Sequence, residues 1–223
     1  MKHISVAIDG PVGAGKSTVA RECARRLGFI YCDTGALYRA VGLYCVENGA
    51  DLDNPREIAG ALGGIKAEIR LVDGTQHVYL NGRDVSEKIR LPEISMAASA
   101  VSAVAEVRAA LLGLQRKIAA NNDVIMDGRD IGTVVLPDAD VKIFLTASPE
   151  KRAERRYAEL REKGEKATLA KVLDEMRLRD RQDTTRDIAP LRCAPDAVRL
   201  DTSDMTLDES EEAILRIVRG KLG

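Results

Sequence analysis

The 223 residues are 45% hydrophobic, enough to bury a substantial core, and the length favours one domain with inserted pieces over two complete domains. Lys and Arg number 34 against 35 Asp and Glu, a net charge of −1 that argues against a general nucleic-acid-binding or membrane-surface protein. Two histidines, His3 and His77, and four cysteines with no CxxC pair leave too few ligands for a zinc site and point to reduced thiols.

The N-terminus leads directly into a short apolar strand, Ile4 to Ile8, without a signal-type run. No apolar run reaches membrane length, so a cytoplasmic chain is expected. After the strand comes Asp9-Gly10-Pro11-Val12-Gly13-Ala14-Gly15-Lys16-Ser17-Thr18, a glycine-rich turn running into a helix on which Val19, Cys23 and Leu27 share a face. The spacing from Gly10 to Gly15-Lys16-Ser17 is the P-loop pattern, whose backbone N–H groups close around phosphates at a helix N-terminus. Gly10 to Thr18 is therefore the expected ATP-binding loop. Lys16 reaches the β- and γ-phosphates from a solvent-facing cradle, and the Ser17 hydroxyl is placed on Mg²⁺.

Gly28 ends the first helix, Phe29-Ile30-Tyr31 makes a second strand, and Asp33-Thr34-Gly35 opens a helix with Leu37, Val41, Tyr44 and Cys45 on one face and Arg39 on another. Asn54-Pro55 caps a short helix that Gly63-Gly64 stops. From Ala67 to Val85, β-favouring residues alternate with the turn dipeptides Asp73-Gly74 and Asn81-Gly82, which predicts a small antiparallel meander. Pro92 opens an alanine-rich helical region to about Asn121, broken near Ser102, that carries Ser99 and Arg108.

Asp123 to Asp127 reads as a buried strand followed by a loop, Gly128-Arg129-Asp130-Ile131-Gly132-Thr133, at the sheet edge where ligands of open α/β sheets bind. Val141 to Ala147 is the next strand. Ser148-Pro149-Glu150 starts a charged helix with Arg152, Arg155 and Arg156, read as a mobile cover with few contacts when open, and Gly164 closes it. Thr168 begins another helix with Leu169, Val172, Leu173 and Met176 inward and Arg179, Asp183 and Arg186 towards its end. Ala197 to Leu200 is the last strand. Thr206 to Glu209 forms a capping box before a final helix with Ile214, Ile217 and Val218 inward.

Alternating strands and helices with a P-loop after the first strand predict an α/β fold: a P-loop NTPase-type parallel sheet of about five strands with helices on both faces, a small antiparallel insertion and a helical lid. The chain has no Asn-Lys-x-Asp motif of a GTPase, and Asp127-Gly128 stands where a motor-type ATPase has Asp-Glu. Its distinguishing feature is a supply of arginines away from the P-loop, namely Arg39, Arg129, Arg155, Arg179 and Arg186. Guanidinium groups bind phosphate bidentately and offset repulsion between two phosphorylated reactants, which favours a kinase for a nucleotide or another small molecule. A monophosphate oxygen is already anionic near neutral pH, so such a kinase needs alignment and charge stabilisation rather than a strong base. A P-loop kinase for another nucleoside monophosphate, a sugar or a shikimate-like acid, and a non-catalytic nucleotide-sensing module, are the competing readings.

The P-loop with Ile8-Asp9-Gly10-Pro11, the stretch Asp33 to Arg39, Asp127 to Val135, and Arg179-Asp180-Arg181-Gln182-Asp183 leading to Arg186 and Ala189-Pro190-Leu191 together resemble the bacterial cytidylate kinases over nearly the whole chain. The insertion near Ala67 to Val85 is part of that resemblance; Leu136 departs from it, where phenylalanine is common. The resemblance implies transfer of the ATP γ-phosphoryl group to CMP or dCMP with Mg²⁺. It implies that Arg39 and Arg129 hold the CMP phosphate with Thr34 nearby, that Ser99, Arg108 and Asp130 surround cytosine, and that Arg179 and Asp183 meet the sugar. Arg155 and Arg186, with Lys16 and Arg129, would act on the transferring group. It also implies a single domain, 1–223, with a core of about 1–35, 91–148 and 165–223, a monophosphate-binding part at 36–90 and a lid at 149–164. Such a chain is expected to act as a monomer on free nucleotides, with neither nucleic acid nor membrane as partner.

Overall fold

The computed structural model describes residues 2–72, 75–162 and 164–223. The strands are β1 (Ser5–Asp9), β2 (Ile30–Asp33), β3 (Ala67–Val72), β4 (Thr75–Leu80), β5 (Arg83–Asp84), β6 (Val124–Gly128), β7 (Val141–Thr146) and β8 (Val198–Asp201). The helices are α1 (Lys16–Leu27), α2 (Gly35–Glu47), α3 (Pro55–Ala61), α4 (Pro92–Ser102), α5 (Ala105–Ala120), α6 (Pro149–Glu162), α7 (Leu169–Thr185) and α8 (Leu207–Leu222). One sheet has five strands in the order β2-β6-β1-β7-β8, and a second has three in the order β3-β4-β5. In the larger sheet β1 and β8 both run parallel to β7, with Asp9 opposite Phe144 and Asp201 opposite Thr146. Every residue of β6 and all but the first of β1 are buried, the pattern of strands covered on both faces.

The chain divides into two compact units: Ile30–Val124 with the residues up to His3, and Ile4–Phe29 with Ile125–Gly223. In the first unit, Leu37, Val41 and Cys45 of α2 pack with Val101, Val107 and Leu111 of α4 and α5. A neighbouring cluster joins Ala36, Ala40 and Leu43 to Val78, Leu80, Ile89 and Ile94. Helix α2 lies so close to α4 that a Cβ on Gly42 would stand 3.0 Å from the Ala97 methyl and 3.1 Å from backbone. The small sheet is antiparallel as expected, and Asn81 (φ 51°) with Gly82 (φ 81°) makes its tight turn between β4 and β5. The expected Asp73-Gly74 turn lies outside the described residues. Asn54 caps α3 by accepting from the Arg56 N–H, with Pro55 in the first turn.

In the second unit α6 and α7 pack through Ala153, Leu160, Val172 and Met176. Leu169, expected inward, is exposed: it follows the Thr168 N-cap, where the first turn of α7 stands clear of that cluster. The segment after β6, expected as a loop, is instead a wide helical turn at Ile131–Val135. Thr206 and Glu209 form the capping box of α8, which buries Ile214, Leu215 and Val218. Cys23, Cys32 and Cys45 are buried, Cys193 is exposed, and all four are free thiols. Among the described residues no single helix is long and apolar enough to cross a membrane.

Candidate active site

The geometry is described within each unit in turn, beginning with the P-loop of the second. Gly10 approaches the sheet so closely that a Cβ would lie 1.9 Å from the Leu145 carbonyl oxygen, so no other residue fits there. Gly15 (φ 84°) takes the left-handed conformation that lets α1 start abruptly. The Thr18 N–H closes the first turn on the Gly15 carbonyl, and the amides ahead of it, with the positive helix end, are placed for an anion.

Lys16 is not in the solvent-facing position expected of it. It is 5% exposed, and its ammonium donates to the Pro11 carbonyl at 2.8 Å, folded back across its own loop. Burial and then the neighbouring Arg129 cation bring its pKa down from 10.5 to about 7, against the opposite pull of Asp127, Asp183 and Asp9. The Ser17 hydroxyl donates to the Asp127 carboxylate at 2.8 Å. A hydroxyl and a carboxylate side by side are hard oxygen donors, the set that Mg²⁺ takes when phosphates and water complete its shell.

Arg129 and Asp130 follow β6. Arg129 Nε donates to Asp183 of α7 at 2.7 Å, and Arg129 Nη1 to the Gly128 carbonyl. Burial is the largest influence and works against the Arg129 cation, but the carboxylates of Asp183, Asp127 and Asp180 together outweigh it and raise the pKa above the ordinary value. The ion pair of Asp130 is with Arg186, at 3.6 Å and nearly buried. Arg186 also donates to the Ala189 carbonyl, where Ala189 takes the unusual φ of 48°. Arg179 is half-buried on α7, one turn before Asp183.

The charged helix α6 is better anchored than a loose cover. Arg152, 3% exposed, donates to the Ala147 carbonyl at 2.9 Å and to the Val12 carbonyl of the P-loop at 2.8 Å, and pairs with Asp180 at 2.6 Å. Arg155 donates to the carbonyls of Thr202 and Met205. These bonds, and not a solvated face, use the first turns of α6.

In the first unit, Arg39 pairs with Asp33 at 2.5 Å, and Gln76 of β4 accepts from the Asp33 N–H at 2.7 Å. Arg39 Nε is buried and has no protein partner among the described residues. Thr34 is buried at the start of α2. Arg108, 8% exposed, donates to the Ser102 carbonyl at 3.1 Å, with its guanidinium carbon 5.4 Å from the centre of the Tyr38 ring. Ser99 lies half-buried on α4. Sequence reasoning missed Asp33, Gln76, Asp127, Arg152 and Asp180. Only Asp127 carried a usable signal, a carboxylate ending the strand before the arginine loop; the others are revealed by their partners.

The sheet, the glycine cradle and the Lys16–Ser17–Asp127 group define a P-loop phosphotransferase. The cytidylate kinase family model matches residues 6–220. A cytidylate kinase of Caldicellulosiruptor bescii is 49% identical over 97% of this chain and 96% of its own length. Another, of Lactobacillus johnsonii, is 47% identical over 98% of this chain and 95% of its own. The chain belongs to the cytidylate kinase family. A solved structure of an uncharacterized protein from Eubacterium ventriosum covers 97% of this chain and 99% of its own at a TM-score of 0.51 and 13% identity, a likeness of fold alone.

Proposed function

We propose that this chain transfers the γ-phosphoryl group of ATP to CMP or dCMP, giving ADP and CDP or dCDP. The observation that carries the reading is the full-length membership of the cytidylate kinase family, held together with an intact Lys16, Ser17 and arginine set. The acceptor phosphate brings its own nucleophilic oxygen, so the residues bind, align and neutralise. Lys16 turns from the Pro11 carbonyl to the β- and γ-phosphates, and the amides of Gly10 to Thr18 line the donor. Ser17 and Asp127 would hold Mg²⁺, which when bound supplies charge neutralisation at the phosphates.

Arg129, oriented by Asp183, and Arg39, oriented by Asp33, are the proposed ligands of the CMP phosphate, with Thr34 beside Arg39. The orphaned Nε of Arg39 supports this role. Arg108, Ser99 and Asp130 read cytosine: Arg108 donates to N3, and Ser99 and Asp130 accept from the 4-amino group. Arg179 and Asp183 are assigned to the sugar, and Arg155 and Arg186 to the transferring group. For Arg155 that role requires release from Thr202 and Met205. We assign 149–164 to a lid, 36–90 to the monophosphate-binding part and the remainder to the core of one domain. We assign it to the cytoplasm as a monomer working on free nucleotides, and the balanced charge argues against nucleic acid or a membrane surface as partner.

A coupled assay of ADP release with CMP, dCMP, UMP, gluconate and shikimate as acceptors tests the reading. CMP and dCMP should be turned over far faster than the rest. Turnover confined to a non-nucleotide acceptor, or ATP binding with no turnover of any of them, would establish one of the competing readings instead.

A further inference from the structure

We propose that Asp9 is a positioning residue for phosphoryl transfer: its carboxylate holds the Ile131–Val135 turn, and with it Arg129 and Asp130, in fixed register with the P-loop that begins at the next residue. The inference rests on the kinase reading given above. One Asp9 oxygen accepts from the Ile131 N–H and the other from the Gly132 N–H, both at 2.7 Å. Asp9 is 4% exposed and sits at the last position of β1, so its main chain is held in the parallel ladder opposite Phe144. Gly10, the first glycine of the P-loop, lies against the Leu145 carbonyl with no room for a Cβ. A rigid strand end therefore carries the donor loop on its main chain and the arginine segment on its side chain.

The far end of the turn is fastened separately. Lys142 of β7, 8% exposed, lays its stem against Gly132 and sends its ammonium to the Pro137 carbonyl and the Asp196 carboxylate. The charged groups bearing on Asp9 are Asp130, which opposes its ionisation, and Lys16, which favours it. Burial is the largest influence and lifts the Asp9 carboxyl from 3.8 to about 6, although the two amide bonds pull it down. A folded-state pKa above the unfolded one makes ionisation of Asp9 cost the fold stability as pH rises from about 4 through 6. The two amide bonds, and not this cost, are what tie the turn to the strand end.

Asp9→Asn keeps the size of the side chain but presents its NH2 group to one of the two amides. With CMP and ATP, kcat should fall about tenfold or more while KM for ATP stays within about twofold of wild type. In wild-type protein without nucleotide, the backbone amide resonances of Ile131 and Gly132 should move together with a midpoint near pH 6, and in Asp9→Asn both should be still. A folded Asp9→Asn protein with wild-type kcat would overturn the proposal. So would Ile131 and Gly132 amides that exchange with solvent as fast as unbonded ones in the wild-type protein, a result that stands even if the variant fails to fold. Failure of wild type to phosphorylate CMP would sink the functional reading and leave the amide titration unaffected, so the two failures are distinguishable.

Discussion

The two units solve the problem of placing arginines in different ways. In the Ile4–Phe29 and Ile125–Gly223 unit, charge holds charge: Arg129 against Asp183, Arg152 against Asp180, Arg186 against Asp130, with Lys16 buried among them. In the Ile30–Val124 unit, apolar packing sets the frame, and the side chains proposed to meet CMP include Arg39 on Asp33 and Arg108 on a carbonyl and an aromatic ring. A buried ion network contributes little net stability, since desolvation offsets most of the attraction, but it fixes direction. Packing contributes stability and leaves donors such as Arg39 Nε unspent. Substitutions in the ion network of the second unit should therefore cost activity, and those in the packed core of the first should cost stability.

The largest expected effect is that of Lys16→Met. Removing the only lysine of the P-loop should lower kcat on the order of a thousandfold, because a preorganised charge at the transferring phosphate is lost. Its thermal midpoint should stay near or above wild type, since a buried cation is replaced by an apolar side chain of similar length. Differential scanning fluorimetry beside the kinetic assay checks both halves, and a large drop in midpoint would break the contrast between the units.

Next comes Arg129→Lys, which keeps the charge but not the fork shared between Asp183 and the Gly128 carbonyl. A loss of roughly 2 kcal/mol in transition-state binding, about thirtyfold in kcat/KM for CMP, is expected with unfolding unchanged. Equal kcat/KM in the two proteins would mean that the fork geometry is idle. For the other unit, Gly42→Ala drives a methyl against Ala97 and the α4 backbone. It should cost about 1–3 kcal/mol in a denaturant titration while a folded sample keeps most of its kcat. The reverse pattern, full stability with lost turnover, would place function where the packing argument puts structure.

The smallest effect is a proton count. With its pKa near 7, Lys16 is largely neutral at about pH 8 in the free protein, and nucleotide phosphates favour its charged form, so Mg-ATP binding there should take up protons. Calorimetry in two buffers of different ionisation enthalpy reads the uptake directly. It should vanish in Lys16→Met, and uptake that persists in the variant belongs to another group.

Much of the second unit was legible in the sequence because its chemistry follows local spacing: Gly10 to Ser17 is one loop, and Asp127 to Asp130 one strand end. What was not legible depended on partners far along the chain. Arg152 reads as one more charge on a helix until Val12, 140 residues away, and Asp180 are seen beside it. Lys16 was expected in solvent because the spacing shows a phosphate loop but not the Pro11 carbonyl that takes the ammonium. In the first unit Arg39 and Arg108 carried no local signal beyond the family resemblance. The hairpin, the Asn54 cap and the Thr206 capping box were readable throughout, since each is settled within four residues. Leu169 was misjudged because a periodic pattern cannot tell where the partner helix ends.

The most direct test of the account is kcat/KM for CMP against UMP. Uracil inverts both hydrogen-bonding groups that Arg108 and Asp130 are proposed to read, and each mispaired buried group costs roughly 1–3 kcal/mol, so CMP should be preferred by about a hundredfold or more. Asp130→Ala should narrow that ratio by losing CMP activity more than UMP activity. Equal use of CMP and UMP by the wild-type protein, or the absence of CDP among its products, would contradict the assignment.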